Sequence, residues 1–208
     1  MREVVHLEPR DARSVPWRNG RGVTRELALW PSGATFERGD FNWRVARAAV
    51  TESGPFSAFP GYERTLVVTS GSALTLEHGA PARRARVRRL EPYRFSGELA
   101  THATLTDGSV EDFNVLARRT CVSADVEVLQ LGRRRTRETL GAGHAFLHVL
   151  GGRVEARLTG EEAPFTLATG DSLWAREVRA GEELDLTGLD DAALALLVRI
   201  VAVRDVRA

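Results

Sequence analysis

Lysine is absent from this 208-residue sequence, and all 29 of its basic residues are arginine. That absence excludes a P-loop gripping phosphate through Lys and any lysine Schiff-base mechanism, pyridoxal chemistry included. Cysteine is nearly absent as well. Cys121 alone can form neither an internal disulfide nor a multi-thiolate zinc site. Long apolar runs are also lacking: "AALALLVRIVAV" at 192–203 is interrupted by Arg199 and falls short of the roughly 20 residues that span a bilayer. It reads as a buried C-terminal strand. The N-terminal "MREVVHLEPRDARS" has no signal-peptide apolar core, so a cytoplasmic location is expected. Charge of one sign does not dominate either: 29 basic residues against 28 acidic ones leave a net charge of +1 and no large field. Neither nucleic acid nor membrane is expected as a partner.

What is present is strand. With 43% hydrophobic residues the chain can bury one sizeable core or two small ones. Helical signal is weak, and turn residues recur between short β-forming runs. In "DFNWRVARAAV", Phe41, Trp43 and Val45 share one face and Asn42, Arg44 and Ala46 the other, because side chains alternate across a strand. "VEDFNVLARR" behaves alike, with Phe113, Val115 and Ala117 opposed to Asp112, Asn114, Leu116 and Arg118. An internal echo links "LVVTSGSALTL" at 66–76 to "FLHVLGGRVEA" at 146–156, each a strand, a glycine turn and a strand. "LATGDSLWA" at 167–175 adds another glycine-marked turn. This rhythm predicts an all-β bicupin: two jelly-roll β-barrels in one chain, a first cupin domain at 1–118 and a second, degenerate one at 119–208.

The segments "VPWRNGRGVTRELALWP", "FNWRVARAAVTESGPFSAFPGYERTLVVTSG", "YRFSGE", "LTDG" and "DFNVLARR" resemble, in order, the HutD/Ves family of bicupins. The resemblance is dense over 15–119. One departure is Arg18, where the family often has Lys, which replaces a mobile point donor with a planar fork. The resemblance implies two cupin domains and an association with bacterial histidine utilisation, sensing or buffering a pathway intermediate. It implies no established reaction, and Ves-type members are linked to stress.

A metal-binding cupin places two His and a Glu before the glycine that ends its strand. Counting back from Gly71, the acid position falls on Arg64 and the histidine positions near Ser57 to Pro60, so the first barrel is expected to hold no metal. His144 and His148 share a strand face and Glu138 precedes them, but satisfied or exposed histidines are the expectation there. Arg64 is suited instead to capture of a carboxylate. Through the resemblance, Arg44, Asp112, Asn114 and Arg118 join it around one barrel, with Thr24 and Glu26 following the "RNGRG" turn that contains Asn19. Trp17 and Phe59 supply flat walls. The expected ligand is a small anionic molecule, a planar or amide-bearing carboxylic acid such as urocanate or a formylated glutamate.

Duller readings stand beside these. Arg44 and Asp112 could form a structural ion pair, and Phe41 and Trp43 are expected in the core. The runs "ARRARVRR" and "GRRRTRE" read as solvated faces, with a homodimer contact left open. No activated Ser is recognisable, so no catalytic residue and no cofactor is assigned. Only Glu26 and Asp112 could serve as a base, and neighbouring arginines should keep either one ionised. That favours a binder over a metal-independent isomerase or hydrolase. A stress-linked interaction module with a vestigial barrel is the third reading.

Overall fold

The computed structural model describes residues 3–17, 22–79 and 81–203. Asn19 and Arg18 lie outside the described residues. Apart from one short 3-10 turn at Pro9–Asp11, every regular element among the described residues is a strand. In chain order these are β1 (Glu3–Leu7), β2 (Arg13–Pro16), β3 (Val23–Trp30), β4 (Trp43–Val50), β5 (Gly54–Phe56), β6 (Tyr62–Ser70) and β7 (Ala73–His78). They continue as β8 (Arg83–Arg88), β9 (Tyr93–Ser96), β10 (Thr101–Leu105), β11 (Val110–Arg118), β12 (Val122–Leu131) and β13 (Thr136–Thr139). The last six are β14 (Gly143–Gly151), β15 (Arg153–Leu158), β16 (Phe165–Ala168), β17 (Ser172–Val178), β18 (Glu183–Gly188) and β19 (Ala193–Ala202). No helix among the described residues is long and apolar enough to cross a membrane.

Two compact units emerge, one of Ala12–Val122 and one of Ser123–Ala208 with Met1–Asp11. The expected division put β1 with the first half of the chain. It pairs instead with β17, from Glu3 opposite Arg176 to Leu7 opposite Ser172. In the Ala12–Val122 unit a six-stranded sheet runs β2-β3-β4-β11-β6-β9 and a four-stranded sheet β5-β10-β7-β8. The other unit has a five-stranded sheet, β1-β17-β14-β19-β12, and a four-stranded one, β13-β18-β15-β16.

The closed barrels expected from the sequence are not formed. In each unit two sheets share a core without joining edge to edge among the described strands. Leu66, Val68 and Val110 of one sheet meet Leu74, Leu76, Val87 and Ala103 of the other, so apolar burial, not strand closure, unites them. In the second unit Leu147, Ala195 and Leu197 meet Val154, Leu158 and Leu186 in the same way.

The glycine turns fall where the sequence puts them. Gly71 and Ser72 connect β6 to β7, and Gly71 takes a φ of +85° with its Cα side facing the Ser109 carbonyl. Gly152, φ +74°, turns β14 into β15. Alternation along β4 and β11 also holds, but the solvent-facing positions, Arg47, Ala49 and Glu111, fall on the face of Trp43 and Phe113 rather than on the face read as polar. Trp43, Val45, Phe113 and Val115 are buried on one side, while Arg44, Ala46, Asp112 and Leu116 are buried on the other. The face read as polar is an interior face, and it lines a cavity.

Candidate functional site

The cavity lies in the Ala12–Val122 unit and has a volume of about 540 Å³, within the usual range for small-molecule sites. Its floor follows from strand register. Arg44 on β4 and Arg64 on β6 both stand opposite Leu116 of β11. Two strand spacings therefore separate their Cα atoms, about 10 Å. One step deeper Glu26, Ala46, Asn114 and Leu66 lie in register across β3, β4, β11 and β6. A further step brings Thr24, Ala48, Asp112 and Val68 into line. The small Ala46 and Ala48 side chains leave the room above this polar floor.

Two β-bulges adjoin its carboxylates. On β3 the register shifts between Glu26 and Ala28, and between β11 and β6 it shifts at Glu111 and Asp112. A bulge inserts a residue and re-aims the side chain beside it.

The guanidinium groups are held differently. Arg44 Nε donates to Glu26 Oε2 at 2.7 Å, and both side chains are at most one-tenth exposed. The Phe36 ring covers the Arg44 guanidinium, its centroid 4.2 Å away. Arg44 Nη2 is buried without a hydrogen-bond partner among the described residues. Arg64 donates from both Nε (2.8 Å) and Nη2 (2.6 Å) to Asn114 Oδ1, while Asn114 Nδ2 donates to Asp112 Oδ1 at 2.5 Å. The donors on one side and the acceptor on the other dictate the amide orientation. Phe56, Phe95 and Phe59 surround the Arg64 guanidinium, with centroids at 4.6, 5.5 and 6.0 Å.

Burial governs the electrostatics. It lowers the pKa of Arg64 to about 10, opposed by the charge of Asp112, and it lowers that of Arg44 against the support of Glu26. Both remain cations at neutral pH. For Asp112 the neighbouring arginine does not, contrary to expectation, set the direction of the shift. Desolvation pushes its pKa up to about 6, outweighing Arg64, the Asn114 hydrogen bond and the Ala48 amide, which pull it down.

Trp17, Thr24, Arg44, Phe59, Arg64, Asp112 and Asn114 thus line one cavity. Trp17 is oriented by its indole N–H, which donates to Thr24 Oγ1 at 2.9 Å. Glu26 is not among the lining residues and acts on the cavity through Arg44. Arg118 does not line it either. Its Nε and Nη2 donate to the Phe41 and Gly39 carbonyls at 3.0 and 2.6 Å, and Nη2 to the Tyr62 hydroxyl at 2.5 Å, bracing the loop at the cavity rim. The Arg44–Asp112 ion pair offered as an alternative is not formed, since Arg44 takes Glu26. Phe41 is buried as expected, yet it also lines the cavity, whereas Trp43 does not.

Sequence reasoning missed Phe36, Phe56, Arg38 and Tyr62 at this site. Phe56 was within reach, since it follows Pro55 directly in the same "GPFSAFPG" stretch that contains Phe59. Phe36 gave no signal, because it stands in an irregular segment without periodicity.

Of the histidines weighed for metal, His148 is fully buried, its Nδ1 2.8 Å from Ser172 Oγ. His144 Nδ1 accepts from Trp174 Nε1 at 3.4 Å, and Glu138 binds Arg199 at 2.5 Å. No group of three or more His, Cys, Asp or Glu among the described residues is arranged to hold a metal ion.

The HutD family model matches residues 9–195. The chain belongs to the HutD family. Protein Ves of Citrobacter koseri is 35% identical over 150 residues, covering 70% of this chain and 74% of that protein. Protein Ves of Cronobacter sakazakii is 36% identical over 146 residues, covering 68% and 75%. Among solved structures, a conserved protein of unknown function from Pseudomonas aeruginosa superposes with a TM-score of 0.86 at 30% identity, over 95% of this chain and 98% of that one. HutD from Pseudomonas fluorescens superposes with a TM-score of 0.79 at 24% identity, over 97% and 100%. The fold of this HutD-family chain is accordingly all-β and cupin-like.

Proposed function

We propose that this chain is a bicupin in which the Ala12–Val122 unit binds a small carboxylic acid, without metal, in a regulatory role, and in which the other unit is a degenerate cupin. The observation that carries this reading is the buried Arg44 Nη2, a charged donor without a partner among the described residues on the wall of a cavity that also contains Arg64. A buried, unsatisfied guanidinium N–H is costly, and a ligand carboxylate would satisfy it with a charge-assisted bond. The phenyl rings of Phe36, Phe56 and Phe59 suit a flat or apolar body, and Thr24, Asn114 and Asp112 offer partners for its polar groups. Family membership supports an acid of histidine breakdown, urocanate or a formylglutamate-like compound, as the first candidate. Calorimetric titration with urocanate, formylglutamate and the uncharged amide of urocanate tests it. Binding of either acid, with the amide much weaker, is expected. Silence of both acids at millimolar concentration would overturn the reading.

One observation favours a second reading, a metal-independent enzyme acting on a similar acid. Asp112 is a cavity-lining carboxyl whose pKa lies near 6, closer to neutrality than an ordinary aspartate and better placed for acid–base work. Mass spectrometry of each acid incubated with the protein would show turnover lost in Asp112→Asn if this reading holds.

A further inference from the structure

Two buried charge pairs adjoin the cavity and differ in construction. Arg44 touches its carboxylate directly. Arg64 reaches Asp112 only through Asn114, which accepts from the guanidinium and donates onward to the carboxylate. Arg64, Asn114 and Asp112 are therefore one hydrogen-bonded unit, with Asp112 only 1% exposed. Arg64 is the cation that offsets the Asp112 charge.

Building on the carboxylate-binding reading, we propose that Asp112 is a proton-binding site coupled to the anion site, so that a carboxylate entering beside Arg64 binds together with one proton. A second anion on Arg64 would leave two negative charges sharing one buried cation, and like charges in a low-dielectric interior are resolved by protonating one of them. The proton comes from solvent and adds to the carboxylate, converting Asp112 to a neutral carboxyl. Asn114 Nδ2 still has Oδ1 to donate to, so the relay survives the change.

The surrounding groups favour this outcome. Glu111, the neighbour on β11, opposes ionisation of Asp112, whereas the Ala48 amide on β4 supports it. Arg44 on β4 gives its Nε to Glu26 of β3, and its Nη2 has no partner among the described residues. Thr24, in register on β3, carries no charge. His78 on β7 is held neutral by burial and by Arg64, and its Nδ1 lies 2.9 Å from Thr101 Oγ1, whose hydroxyl donates to the Leu99 carbonyl. The hydroxyl proton being used there, His78 Nδ1 carries the hydrogen and Nε2 is the bare nitrogen, whose protonation burial and Arg64 both oppose. Burial favours the neutral form of both groups, which for His78 means staying without the proton and for Asp112 means taking it up, so Asp112, its pKa about 6, is the group that a modest push protonates.

The test follows the side-chain carbon of Asp112 by NMR in aspartate-labelled protein, assigned by its loss in Asp112→Asn, from about pH 5 to about pH 8 with and without formylglutamate. Its midpoint is expected to rise by about one unit or more on saturation. Calorimetry in two buffers of different ionisation enthalpy should count up to about one proton taken up per ligand, and none in Asp112→Asn. Shifted cavity resonances with an unmoved Asp112 midpoint would overturn the coupling and leave carboxylate binding standing. No shifted cavity resonances at about 10 mM ligand would overturn carboxylate binding and the coupling with it.

Discussion

Arg64 and Asn114 meet through a single acceptor: Nε and Nη2 of the arginine both point at Asn114 Oδ1, at 2.8 and 2.6 Å. The arrangement fixes the guanidinium plane and aims it within an aromatic enclosure. Asn114→Leu keeps the approximate volume and removes the acceptor. It should destabilise the protein by about 1.5–3 kcal/mol, as expected for hydrogen bonds to a charged group. Urea unfolding of the two proteins checks this, and unchanged stability would mean that solvent replaces Asn114 freely.

The Arg44–Glu26 pair should show the asymmetry of buried ion pairs. Glu26→Ala leaves a guanidinium without compensation and should cost about 3–5 kcal/mol. The double variant Glu26→Ala, Arg44→Ala should cost clearly less than the sum of its two parents. A double-mutant cycle by chemical denaturation reads the coupling directly.

Asp112 carries a pH signature. Its folded pKa, about 6, is above the unfolded value, so the native state binds the extra proton between roughly pH 4 and 6. The contribution to stability is present below that window and is lost as pH rises through it. Asp112→Asn should therefore stabilise the protein at pH 8 more than at pH 4, by about 1–3 kcal/mol. Thermal or urea unfolding at the two pH values checks the sign.

Much of this site could be read from residue types and a period of two. The alternation in "NWRVARAAV" and "EDFNVLAR" puts Arg44, Ala46 and Ala48 on one face and Asp112, Asn114 and Leu116 on another. Alternation alone could not say which way those faces turn; only the family resemblance put Arg44, Asp112 and Asn114 around one pocket. A polar face suggests solvent, yet Arg44, Ala46, Asp112 and Leu116 are buried, and burial is what gives Asp112 its raised pKa. Arg118 carried the same residue type as Arg64 but falls at the strand end, where loop carbonyls consume its donors. Partners such as Phe36 come from irregular segments, whose placement depends on tertiary contacts alone.

Backbone geometry gives a test apart from the cavity. Gly71 combines φ +85° with a would-be Cβ 2.6 Å from the Ser109 carbonyl oxygen, whereas Gly108, φ +87°, has nothing within 4 Å. Both Ala variants should be strained, with Gly71→Ala the worse by more than about 1 kcal/mol. Melting temperatures of the pair rank them, and equal losses would show that the β6–β7 turn yields without cost.

The most direct measurement of the central claim is the affinity of urocanate for the parent protein and for Arg44→Ala, Arg64→Ala and Arg86→Ala, the last an exposed arginine outside the cavity. Loss of one charge-assisted contact should weaken binding by about 10- to 100-fold in each cavity variant and leave Arg86→Ala at parental affinity. Equal affinity across all four proteins, or no binding to any of them, would contradict recognition of a carboxylate by Arg44 and Arg64.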